Sequence, residues 1–228
     1  MKKSAVLHQW EISPFCQKVA RMLRFKEIPF ETVNYNGVLG AKVPMLSKVG
    51  KVPVLDINDQ RIQDSTRIAR YLDEAYPDSP RLYPTDPLQK AYVELWEDWA
   101  DELLYFYEVH FRVSDADALN QAVAIAAEGR PKHEAFLMKP LLRSALSFQL
   151  KMQGTGRMSK SDIEAEFIRH LERIELVLGA TGWLVGHRKT VADFAVASQL
   201  VEIIRTSKKF GAEILNRPNT AAWLSKIE

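Results

Sequence analysis

Two short clusters, Ser13-Pro14-Phe15-Cys16 and Asp64-Ser65, hold the residue types that handle thiols and anions, and each stands where a helix should begin. A small hydroxyl residue followed by proline marks a helix start, because the serine oxygen accepts from an orphan backbone N–H and proline has no N–H to lose. Ser13 is the expected cap. Behind it Phe15, Val19, Met22 and Leu23 recur at helical spacing, with Gln17, Lys18, Arg21 and Arg24 on the other face, so one side of the helix should pack on a core. A helix start turns free N–H groups and the positive end of its dipole toward whatever sits there, which favours an anion such as a thiolate. Capping alone would also explain Ser13, and these residues by themselves leave both roles open. Asp64 or Ser65 caps a second helix, whose apolar stripe is Ile68, Ala69, Leu72, Ala75 and Tyr76. Cys16 is the single cysteine, which excludes an internal disulfide and fits a reducing compartment. The five histidines show no ligand spacing, so no metal site is expected, and no glycine-rich phosphate loop is present.

The elements that must position these groups follow from patterning. Ala5-Val6-Leu7 reads as a strand and His8 to Ile12 as a loop leading to the cap. Glu27-Ile28-Pro29 ends the first helix, and Phe30 to Tyr35, rich in β-branched and aromatic residues, forms a second strand and completes a βαβ unit. Asn36-Gly37 and Gly40 break the chain, and Ala41 to Ser47 fits a short irregular helix. Gly50-Lys51-Val52-Pro53-Val54-Leu55 opens a strand with a proline that cannot donate to a ladder. A turn at Asn58-Asp59 then joins it to Arg61-Ile62 as an antiparallel pair.

Pro77, Pro80, Pro84 and Pro87 mark a linker, giving a first domain over 1–78, a linker over 79–87 and a second domain over 88–228. Leu88 to Arg112, Pro131 to Met152, Ile163 to Leu178, Val191 to Ile204 and Pro218 to Ile227 carry helical spacing, and Pro140 should kink or break the second of them. Thr190-Val191-Ala192-Asp193 is a capping-box start with Asp in place of Glu, opening a helix apolar nearly all round and therefore central. Trp96, Trp99, Tyr105, Phe106, Tyr107 and Phe111 crowd the first helix of this domain, mostly as core.

Composition narrows the function. The chain has 228 residues, 46% of them hydrophobic, enough for a full core. Its 31 basic and 29 acidic residues leave a net charge of +2, so no long-range field draws it to nucleic acid or anionic lipid. The apolar run after Lys2-Lys3 is too short for a signal peptide and no stretch is long enough to span a membrane, so a cytoplasmic protein is expected.

Taken together, the serine motif, the Val52-Pro53 pair, the Asp64-Ser65 pair and the Trp183-to-Asp193 box resemble the cytosolic glutathione transferase superfamily, as a serine-type, bacterial-like member. The resemblance covers nearly the whole chain. It implies a thioredoxin-like α/β first domain with a mixed four-stranded sheet and an all-α helical bundle behind it. It further implies glutathione as co-substrate, a small apolar electrophile, a homodimer built on the Asp64–Tyr76 and Leu88–Arg112 helices, and no metal. By the same resemblance Ser13 is the catalytic residue and Pro53 is cis, while Val52 aligns the tripeptide through its backbone. Asp64 and Ser65 bind the γ-glutamyl end, Lys51 lies near the glycyl carboxylate, and Phe15 joins the glutathione-binding set. The family's usual Glu or Gln is here the shorter Asp64. Trp10, Tyr105 and Tyr107 are the implied electrophile pocket. Two other functions fit the same family fold: a glutathione-dependent thiol oxidoreductase or isomerase using Cys16, and a non-catalytic binding protein. Against the first, Ser13 stands where two-cysteine enzymes keep their nucleophile, and Cys16 at the third helical position should turn into the core.

Overall fold

A computed structural model describes residues 5–227 of the chain. Its first half is a four-stranded mixed sheet in the order β2-β1-β3-β4. Strand β1 (Ala5–Gln9) runs parallel to β2 (Phe30–Asn34), with Leu7 opposite Thr32, and antiparallel to β3 (Val54–Ile57), with Leu7 opposite Leu55. A two-residue turn at Asn58 and Asp59, both at positive φ that this residue pair tolerates, joins β3 to β4 (Gln60–Gln63). The strand continues through His8 and Gln9, where a loop was expected. The ladder satisfies their backbones, and the His8 ring lies between the Tyr35 hydroxyl at 3.0 Å and Asp56 Oδ2 at 3.1 Å. Helices α1 (Pro14–Phe25) and α2 (Ser65–Ala75) pack on the sheet through Leu23, Ile68, Ala69 and Leu72. The segment after β2 is a 3₁₀ stretch, Gly37–Met45, starting earlier than the irregular helix expected.

The second half is helical. Helix α3 (Pro87–Trp99) passes through a π-helical stretch, Ala100–Leu104, into α4 (Tyr105–Ser114), so the single helix read from the sequence carries a change of winding. Then come α5 (Ala116–Ala126), α6 (Lys132–Gln153), α7 (Lys160–Thr181), α8 (Val191–Thr206), α9 (Lys208–Leu215) and α10 (Pro218–Leu224). Two of these, α5 and α9, were not legible as helices. Pro140 does not break α6, which runs on past it. The proline and the residue four before it, Phe136, are both exposed, so the carbonyl that loses its partner can turn to water.

Helix α8 is the centre, buried along most of its length and packed against α1, with the rings of Phe25 and Phe194 5.3 Å apart. Its start is the expected capping box. The fully buried Asp193 accepts from the N–H groups of Thr190 and Leu184, the Thr190 hydroxyl and the Trp223 indole, so one carboxylate fixes three chain positions through four bonds. The proline-rich segment is tied down as well: Asp73 accepts from the backbone N–H groups of Leu82 and Tyr83, and Lys26 donates to Asp73 and to the Pro80 carbonyl.

Candidate active site

Topology brings three segments to one end of the sheet. β1 leaves it at Gln9 and runs through Trp10–Ile12 to Ser13; β3, being antiparallel, enters at that same end, with Val54 opposite His8. Val52 and the cis Val52–Pro53 peptide therefore precede β3 beside the Trp10 loop. β4 leaves with Gln63 opposite Val54 and passes directly into Asp64 and Ser65. Two helix starts and a strand entry thus share one edge.

Ser13 caps α1: its Oγ accepts from the Cys16 N–H at 3.4 Å, a long bond that uses the hydroxyl as acceptor and leaves its O–H able to donate. Cys16 is fully buried, and burial pushes its thiol up to about 12, so it remains a protonated small hydrophobe at neutral pH. Asp64, at φ 78°, caps α2 by accepting from the N–H groups of Thr66 and Arg67, each at 3.1 Å. Ser65 is buried behind it, and its Oγ accepts from Lys18 Nζ at 3.3 Å.

Lys18 corrects the sequence reading, which put it on the face of α1 away from the core. It is 1% exposed. Three residues after Phe15, it lies on the inward side of α1, where the second domain covers a surface that an isolated amphipathic helix would give to water. Its ammonium donates to Glu97 Oε1 at 2.7 Å and Asp101 Oδ2 at 2.9 Å. Glu97 also accepts from the Thr66 hydroxyl at 2.9 Å and the Tyr83 hydroxyl at 3.1 Å. Burial alone would lower the Lys18 pKa, but Asp101 and Glu97 more than offset it and the net shift is upward. Burial raises Asp101 to about 6 against the pull of Lys18, and its Oδ1 has no hydrogen-bond partner. This network joins α1, α2 and the α3–π segment directly behind Ser65. Sequence reasoning missed it, although a lysine on the apolar spacing of one helix and an i, i+4 acidic pair among the aromatics of another were visible signals.

The aromatic candidates separate. The Phe15 ring lies 5.1 Å from that of Tyr105, whose hydroxyl reaches Gln149 at 3.5 Å. Trp10 packs with the Ile12, Ala122 and Ala126 cluster, beside Met138, and donates from its indole to the Ala126 carbonyl at 3.2 Å. Tyr107 is instead in the core, 6% exposed, with its ring against Phe167 and His170. Residues two apart on a helix point in nearly opposite directions, so Tyr105 and Tyr107 cannot both face the α1 loop. Lys51 is exposed to solvent.

Residues 7–80 match the family model for the glutathione S-transferase N-terminal domain, and residues 144–228 match the one for the glutathione S-transferase C-terminal domain. Glutathione S-transferase U8 of Arabidopsis thaliana is 34% identical over 94 residues, which is 40% of this chain and 42% of that protein. Across this and a second Arabidopsis transferase, U9, the match covers 42% and 52% of the relative, so the chain spans about half the length of the curated relatives it matches. Among solved structures, a β-etherase from a Sphingobium strain superposes with a TM-score of 0.72 at 20% identity, over 99% of this chain and 95% of that one. A rice transferase in complex with glutathione gives 0.68 at 19% identity, over 99% and 86%. With both family models in chain order on a thioredoxin-like sheet and a helical second half, the chain belongs to the cytosolic glutathione S-transferase superfamily.

Proposed function

We propose that the protein is a glutathione transferase that conjugates reduced glutathione to a small apolar electrophile, with the Ser13 hydroxyl donating to the glutathione thiolate. The observation that carries this reading is the pairing of Ser13, a helix cap whose O–H remains able to donate, with a neighbouring Cys16 sealed in the core at a thiol pKa of about 12. The only thiol available for chemistry is then the co-substrate's, and this removes the support for the oxidoreductase reading.

The remaining roles belong to the same proposal. Val52, at the entry of β3, offers its backbone to the tripeptide as an added rung. Lys18 occupies a lone pair of Ser65, so the Ser65 O–H is left to donate to the γ-glutamyl carboxylate, while Asp64 and the start of α2 orient the same end. Phe15 packs along the tripeptide and the exposed Lys51 stands near its glycyl carboxylate. The apolar electrophile meets Trp10, Phe15 and Tyr105. The protein acts in the cytoplasm as a homodimer.

A free cysteinyl thiol with a pKa of about 8.5 is only about 3% ionised at pH 7. Lowering it by about two units takes about 2.7 kcal/mol. A hydrogen bond to a charged sulfur contributes about 1.5 to 3 kcal/mol and a helix start about 0.3 to 1 kcal/mol more, so one hydroxyl on one helix start is sufficient. Ser13→Ala should lower kcat/KM about ten- to a hundredfold and leave glutathione affinity within several-fold. Ultraviolet titration of bound glutathione reads the thiolate directly. An unchanged thiol pKa with unchanged turnover would reduce Ser13 to a cap.

A further inference from the structure

The loop before Ser13 is held carbonyl by carbonyl. The Trp10 carbonyl accepts from the Ser13 N–H at 2.9 Å, and the Glu11 carbonyl from the Gln17 side chain at 3.2 Å. Both bonds are local to the loop and the first turn of α1. The third carbonyl, that of Ile12, accepts from Arg112 Nη2 at 3.2 Å, a side chain on α4 of the other domain. The Ile12 carbonyl and the Ser13 N–H are opposite ends of one planar peptide unit. With both ends bonded, that plane cannot rotate, and the direction in which the Ser13 side chain leaves the backbone is set.

Arg112 is itself fixed. It is buried, ion-paired with the fully buried Glu108 one turn earlier and 3.5 Å from Glu202 Oε2 on α8. The other Glu202 oxygen accepts from Arg205 at 2.6 Å, and Arg205 reaches Glu11 Oε1 at 3.4 Å. The chain of alternating charges therefore starts at the Ile12 carbonyl, crosses α4 and α8, and returns to the same loop one residue earlier. Neutralising two acids requires only a cation. Reaching a backbone carbonyl from the same position suits the fixed fork of a guanidinium and not the single point charge of a lysine.

We propose that Arg112 is a positioning residue for the chemistry: by holding the Ile12–Ser13 peptide from the second domain, it aims the Ser13 hydroxyl at the glutathione sulfur. This rests on the role given to Ser13 above, and goes beyond it by making the helical domain part of thiolate formation.

The test uses two variants in the full-length protein. Arg112→Lys retains the charge between Glu108 and Glu202 and loses the fork. Because loss of Arg112 alone would strand the buried Glu202 carboxylate, while burial already pushes Glu108 up to about 8, the paired change Glu202→Gln with Arg112→Gln removes one acid together with one cation and breaks the carbonyl contact. In both, the pKa of bound glutathione should rise by about half to one unit, lowering kcat/KM at pH 7 about 1.5- to threefold while glutathione KM stays within about twofold. In a Ser13→Ala background neither variant should shift the thiol further, because the group being aimed is gone. An unchanged thiol pKa in the folded variants, or a shift of equal size without the serine hydroxyl, overturns the positioning role. Ser13→Ala alone is read separately: no change there overturns the role of Ser13, whereas a change there with none in the Arg112 variants overturns only the inference drawn here.

Discussion

Replacing Lys18 by methionine keeps the length of the side chain and removes the cation that two buried acids share. In the folded protein Lys18 lies 2.7 Å from Glu97 and 2.9 Å from Asp101, with Lys18 and Glu97 side chains each 1% exposed. Breaking a buried pair by removing one partner costs about 3 to 5 kcal/mol, because the remaining charge has neither water nor counter-ion. Glu97 keeps the hydroxyls of Thr66 and Tyr83, which places the expected loss toward the lower end of that range. The loss should also depend on pH, with a sign fixed by Asp101. Its folded pKa of about 6 lies above the ordinary 3.8, so the folded state holds this proton more tightly. That contribution is fully present below about pH 4 and is lost as pH rises through about 6. Lys18 limits the upward shift, and in Lys18→Met protonation of Asp101 takes over part of its work. Urea denaturation should therefore show a loss of about 3 kcal/mol at pH 7.5 that shrinks by about 1 to 2 kcal/mol at pH 5. A loss under about 1 kcal/mol at pH 7.5, or one equal at both pH values, would refute the reasoning.

Asp193→Ala removes an acceptor that serves four donors inside the core, and should destabilise by about 3 to 5 kcal/mol with little effect on the thiol pKa of bound glutathione in whatever protein folds. A thermal or urea midpoint close to that of the parent would sink this account of the box. The proposed homodimer is motivated by Leu88, Tyr92 and Leu95, all more than half exposed on α3. Sedimentation at micromolar concentration should give about twice the 26.0 kDa chain mass, and a monomer there would remove the dimer from the proposal.

The sequence by itself determined the elements whose signals are local. Ser13 before Pro14 specified a cap, Asn58-Asp59 a hairpin, and Thr190 to Asp193 a capping box, because each is decided by a hydrogen bond or dihedral within a few residues. The apolar stripe of α2 and the all-round apolarity of α8 likewise announced their packing. Tertiary structure decided what depends on residues far apart in the chain. Charge on α1 suggested water, but Lys18 meets Glu97 and Asp101, 79 and 83 positions away, so a polar face became an interior. Tyr105 and Tyr107 were equivalent in the sequence until packing against Phe167 and His170 assigned one of them to the core. Arg112 gave no signal at all, since an arginine near the end of a helix is ordinarily solvated. Only the approach of α4 to the Ile12 carbonyl, 100 residues away, with Glu108 and Glu202 already buried around it, turned that side chain toward the loop that carries Ser13.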